Sequence, residues 1–233
     1  DYIKIKSELT FCKKDLDIFE VHEGWVHLGT TLNGQNQPYA KWLAKGPPCS
    51  TVTQEGLAVI MELFNFALFP KRAKRLNDRI LACQMAEEGA DLLEVIRFFR
   101  EKGQGDSQAI KNASRIFRGA PLDGGCPFTK DIAYLKGFVM IYNFMRTAVN
   151  EGNTEIIPFL FTGKATLEEL PTLKEYHELG VIAHPKYLPP QMKDPSGISI
   201  WMAFSHFLNK MKLEDLLTYN KNSEATNPFK KAS

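Results

Sequence analysis

A mainly α-helical fold is what this sequence predicts, and three observations carry the prediction. Apolar residues recur at three- and four-residue spacing through most of the chain. Cap residues open these segments, and Pro or Gly close them. Alternating apolar-polar runs, the mark of half-buried strands, are almost missing; residues 2 to 11 alternate weakly and predict at most a small N-terminal strand.

The elements follow in order. Asp15 reads as the N-cap of a helix through Leu16, Phe19 and His22 to about Leu32, where Asn33-Gly34 stops it. A loop with Pro38, Gly46, Pro47 and Pro48 leads to a second helix, from about Ser50 to Phe69, closed by Pro70. Residues 71 to 88, 91 to 101 and 106 to 117 repeat the helical period. A Gly/Pro-rich loop, RGAPLDGGCPF, spans 118 to 128; Thr129 then caps a long apolar helix over roughly 130 to 149. Three more helices are expected at 154 to 163, 165 to 179 and 198 to 218. The pattern is one domain over residues 1 to 219 and a flexible polar tail over 220 to 233.

Bulk properties narrow the function. Hydrophobic residues make up 44% and charged residues 24% of 233, enough to build a sizeable core. A net charge of +2 gives no field that requires nucleic acid or membrane as partner, and neither is expected. The longest apolar run, 56 to 69, is short for a bilayer span and carries Glu62 and Asn65. The four cysteines form no C-x-x-C pair, which favours reduced thiols in the cytoplasm over disulfides or a Cys-type zinc site. The chain opens on Asp1 and reads as a fragment or processed product of a longer protein.

One stretch carries chemistry. HEGWVH, residues 22 to 27, is the zinc-protease pattern H-E-x-x-H with one residue added. Histidines at i and i+4 stand about 40° apart round an α-helix; at i and i+5 they stand about 140° apart, too far to share one ion. A π-type turn over Gly24 to Val26 would bring them together, and such turns occur mostly at functional sites. Taken alone, the spacing leaves open a pair of histidines with no metal. A catalytic zinc wants a third protein ligand and an open position. Glu55 in QEGLA (54 to 58) lies one loop and one helix turn downstream; by itself it reads equally as an acid favoured by the helix dipole.

HEGWVH, NGQNQP (33 to 38), TQEGLA (53 to 58), GGCPFTKDIAYLKG (124 to 137) and FTGKATLEELP (161 to 171) occur in that order. Together they resemble the QEGLA-motif proteins of bacteria (named as modulators of flavohemoglobin expression) and their animal relatives, the microtubule-associated tyrosine carboxypeptidases. The resemblance runs from about residue 8 to 190. It implies a helical, gluzincin-like metallopeptidase core with Zn2+ as cofactor. His22, His27 and Glu55 are the implied zinc ligands and Glu23 the implied general base. The implied reaction is removal of a C-terminal residue from a peptide or protein. A non-catalytic, zinc-containing regulator or interaction module is the alternative.

An exopeptidase must also hold a terminal carboxylate. GGCPF ends at a helix start, where free N–H groups favour an anion, and Arg118 and Lys130 flank it. Tyr134, one turn on, is placed to donate to an oxyanion. An ordinary Gly-rich turn with surface cations is the competing reading. Of the rest, His206 on an apolar helix reads as a core histidine, and the run Lys71-Arg72-Lys74-Arg75 as a solvated basic face.

Overall fold

The computed structural model describes residues 3 to 5, 8 and 10 to 210. The fold is mainly helical, and among the described residues there is no strand. The strand expected over 2 to 11 is therefore not formed at the described positions 3 to 5, 8, 10 and 11, and its remaining residues lie outside the described set. A lone strand here would find no second strand among the described residues to pair with, and unpaired strands are not stable. The expected tail, 220 to 233, and the helix beyond residue 210 lie outside the described residues.

The N-terminal helix is continuous but changes winding. It begins as α1 (Lys13–Ile18), widens into a π-helical stretch (Phe19–Leu28) and returns to α-geometry as α2 (Gly29–Gln35). Asp15 lies inside α1 rather than at its cap, its carboxylate accepting from the Cys12 N–H at 3.0 Å. The helix runs one residue past Asn33-Gly34, to Gln35. The buried Asn33 side chain donates to the carbonyls of Phe161 and Tyr187 and accepts from the N–H groups of Lys186 and Tyr187. With every polar atom satisfied, it stays inside the helix and ties three segments together.

Next comes α3 (Thr51–Phe64), buried from Thr53 to Glu62, as expected of a helix apolar on nearly every side. It crosses α7 (Ile132–Asn150) at two glycines. A Cβ on Gly56 would lie 2.1 Å from the Gly137 carbonyl carbon, and one on Gly137 would lie 1.9 Å from the Val52 carbonyl oxygen. Only hydrogen fits between these backbones. The core gathers round the crossing, with Val21 and Val26 of the π-helical stretch, Leu57 and Ile60 of α3, and Ile141 and Met145 of α7.

A second apolar cluster joins α4 (Pro70–Glu87), α5 (Leu92–Glu101) and α6 (Asp106–Ile116), centred on Cys83, Phe99 and Ile116. An Asp91/Glu94 capping box starts α5. The chain then closes over the first core with a 3-10 stretch (Thr154–Phe161), α8 (Leu170–Glu178), the short α9 (Pro190–Lys193) and α10 (Ser196–Lys210). No helix among the described residues is long and apolar enough to cross a membrane.

Candidate metal centre

The site begins with the winding of the N-terminal helix. In π geometry the backbone bond runs from residue i to i+5, so residues five apart come into line. The Gly29 N–H reaches the Gly24 carbonyl in this way. His22 and His27 therefore stack on one face, ring centroids 4.9 Å apart and planes at 82°. The distortion is longer than the three residues expected. Gly24 is not what permits it, since its φ is not positive and a Cβ there would meet only the Phe19 carbonyl at 3.8 Å.

The third group arrives from α3. Glu55 Oε2 lies 3.4 Å from His22 Nε2 and 3.6 Å from His27 Nε2. These distances exceed ordinary hydrogen bonds. Oε2 is buried and has no hydrogen-bond partner. Leaving a buried acceptor unpaired costs about 1–3 kcal/mol. Two donors bound at 2.0–2.1 Å to a tetrahedral ion stand about 3.4 Å apart. The orphaned oxygen thus stands from each imidazole nitrogen at about the separation of two ligands of one zinc-sized ion, and the donor set is of the type zinc takes. Glu23 is exposed beside them: one of its oxygens and one nitrogen of each imidazole lie within 4.8 Å of one another.

Support for His22 comes from a residue that the sequence reading passed over. Glu62, two turns after Glu55 on α3 and 0% exposed, takes the His22 Nδ1–H through Oε1 at 2.6 Å. Arg72 of α4 donates from Nε and Nη2 to the two Glu62 oxygens. That bond turns Nε2 of His22 toward Glu55, an arrangement common behind metal-binding histidines. The signal in the sequence was an acid on the same face as Glu55 in an apolar run. Arg72 does not belong to a solvated face, as its run suggested, but folds inward.

Charges follow from this packing. Burial works against a charged His22, yet Glu55 and Glu62 raise its pKa to about 9 in the metal-free chain. Burial also opposes the charge on Glu55, but the two imidazoles outweigh it and hold its pKa well below the carboxylate range. Glu62 is likewise buried, and His22 and Arg72 keep it ionised.

Tyr134, on the first turn of α7, reaches the site because the Gly56–Gly137 crossing lies one turn further on. Its ring is 6.2 Å from that of His22. Burial, then the charge of Glu55, push its hydroxyl up to about 12, so it remains a proton donor at neutral pH. Behind it Asp131 holds Arg115 from α6 with both oxygens. Gln54 anchors α3 to α2, its side-chain amide oxygen 2.9 Å from the Thr30 hydroxyl.

A cleft of about 490 Å3 opens beside the centre, lined among others by His27, Gln54, Glu55, Lys45, Lys130 and Lys164. Lys130 is in it, its Nζ 3.3 Å from Glu55 Oε1. Arg118 is not among its lining residues; it sits over the Phe128 ring at 5.7 Å and lines a separate depression with Arg79 and Arg115. The sequence reading did not single out Lys164, although a lone charge between buried Gly163 and Ala165 marks it.

Comparison with known proteins bears out the family resemblance. No curated protein and no solved structure matches the chain. The family model described as microtubule-associated tyrosine carboxypeptidase matches residues 1 to 210, nearly the whole chain. With the motif blocks and the helical fold in place, the chain belongs to the microtubule-associated tyrosine carboxypeptidase family.

Proposed function

We propose that the protein is a zinc-dependent carboxypeptidase that removes the last residue of a peptide or protein, with His22, His27 and Glu55 holding the metal. The observation that carries this reading is the buried, unpaired Glu55 Oε2 facing two imidazole nitrogens at ligand-to-ligand separation. The family description supports the carboxypeptidase chemistry and a terminal tyrosine as the residue removed. Bound there, zinc would polarise the scissile carbonyl and make a water acidic enough to react at neutral pH.

The side chains do the rest. Glu23, exposed and with no side-chain ion pair or hydrogen bond among the described residues, takes a proton from the attacking water. The water oxygen bonds to the carbonyl carbon, the C–N bond breaks, and Glu23 passes its proton to the departing amine. Tyr134 donates to the oxyanion that develops in between. A regulator that kept zinc only as structure would have no use for an exposed base beside its ligands. The four cysteines are free thiols, which fits a cytoplasmic protein.

The test is release of tyrosine from a peptide ending in that residue. Zinc-loaded protein is expected to release it, and Glu23→Gln protein to retain zinc but lose the release. Equal release by the two proteins would remove Glu23 from this role, and none by either would refute the carboxypeptidase reading.

A further inference from the structure

The cleft holds three ammonium groups, and they are not equivalent. Lys130 is engaged with Glu55, and Lys45 is exposed on its loop. Lys164 alone is half-buried, in a run where Phe161, Thr162, Gly163 and Ala165 are all buried. No ion pair of its ammonium is found among the described residues. Burial lowers its pKa, and the attraction of Glu55 does not make up the difference. A lysine in such a place ordinarily costs stability unless an anion meets it.

Its position is also fixed more firmly than that of a loop lysine. The Lys164 N–H donates to the Leu43 carbonyl at 2.7 Å. A Cβ on Gly163 would lie 2.5 Å from Leu43 Cβ. Gly46, at φ +64°, passes so close that a Cβ there would lie 2.4 Å from Lys164 Cβ. Two loops are thus clasped backbone to backbone, and the side chain leaves the clasp into the cleft that holds His27 and Glu55. Among the described residues Glu55 is the only carboxylate lining that cleft, and both its oxygens face other groups.

An unpaired, half-buried cation on a rigid frame beside the centre suits an anion that arrives with the substrate. In a carboxypeptidase the anion next to the scissile carbonyl is the α-carboxylate of the residue to be removed. We infer that Lys164 receives the terminal carboxylate of the substrate and so sets the enzyme's preference for chain ends. This rests on the carboxypeptidase reading and replaces Arg118, which lies off the cleft, and Lys130, which is occupied by Glu55.

The experiment measures binding, so that it does not depend on turnover. Zinc-loaded Glu23→Gln protein is titrated with a short peptide ending in tyrosine, once as the free acid and once as the C-terminal amide. With Lys164 present the acid should bind about 10- to 100-fold more tightly, the range for loss of one charge-assisted hydrogen bond. Lys164→Met should bind the two forms alike, and Lys164→Arg should restore part of the preference. An undiminished preference in a folded, zinc-containing Lys164→Met protein overturns the inference, as does equal or absent binding of the two forms with Lys164 intact. The two readings can fail separately. Tyrosine release by the Glu23 protein, with preference kept in Lys164→Met, sinks only this one. A Lys164-dependent preference without any release sinks only the catalytic one.

Discussion

Replacing Glu62 with Gln perturbs the centre from behind, without touching a proposed ligand. Gln has the same shape but no charge, and one oxygen in place of two. In the native site Glu62 accepts the His22 Nδ1–H at 2.6 Å and is held by Arg72, whose side chain is 19% exposed. The histidine bond falls from a charge-assisted one, about 1.5–3 kcal/mol, to a neutral one, about 0.5–1.5 kcal/mol. The loss of about 1–1.5 kcal/mol corresponds to roughly tenfold weaker zinc binding, at the lower edge of the 10- to 100-fold range for such supporting residues. Arg72 is stranded at the same time, and stability should fall by up to about 3 kcal/mol. Zinc affinity is read by competition with a chromogenic chelator, and stability by urea unfolding of the metal-free protein. The double substitution Glu62→Gln with Arg72→Met separates the effects: stability should recover while zinc affinity stays low. A folded Glu62→Gln protein that binds zinc within about twofold of the native affinity would show that Glu62 does not support His22 as a ligand.

Other outcomes follow from the same geometry. Gly56→Ala places a methyl 2.1 Å from the Gly137 carbonyl carbon, and the helices must part by about 1.3 Å to reach ordinary contact. Both sides of that contact are backbone, so the cost should reach about 3 kcal/mol and lower the urea midpoint clearly; an unchanged midpoint would contradict the crossing. Tyr134→Phe should lower tyrosine release about 100- to 1000-fold with little change in zinc content, checked by kinetics and metal analysis. Since His22 has a pKa near 9 without metal, zinc must displace its proton at pH 7, and zinc affinity should rise with pH up to about 9. The sign for the metal-free chain is opposite. A raised pKa contributes stability that is whole below the unfolded value of 6.5 and lost as pH rises through 9, so the urea midpoint should fall across that window.

Much of the centre was legible because one spacing contradicted itself. Histidines at i and i+5 cannot meet on an α-helix, so HEGWVH required a change of winding, and the π-helical stretch supplies it. QEGLA marked Glu55, but not why glycine follows it. That reason is the backbone of Gly137, distant in sequence, and nothing local reveals the crossing. Asn33-Gly34 read as a stop because those residues usually end helices; α2 runs one residue past them, to Gln35, with Asn33 held in its last turn by four tertiary hydrogen bonds. Arg118 and Lys130 looked alike as cations near a helix start. Only packing separates a guanidinium laid on Phe128 from an ammonium beside Glu55. Glu62 and Lys164 were each visible as a lone charge in a buried run, a pattern that marks a position without naming its partner.

On the proposed function, His22, His27 and Glu55 close on one zinc with Glu23 left free. A crystal structure of the zinc-loaded protein, with the metal located by its anomalous scattering, tests it most directly. The expected structure has one zinc with two imidazole nitrogens and a Glu55 oxygen at about 2.0–2.2 Å, and Glu23 outside the ligand set. No zinc between these three residues, or a zinc bound by Glu23 in place of Glu55, would contradict it.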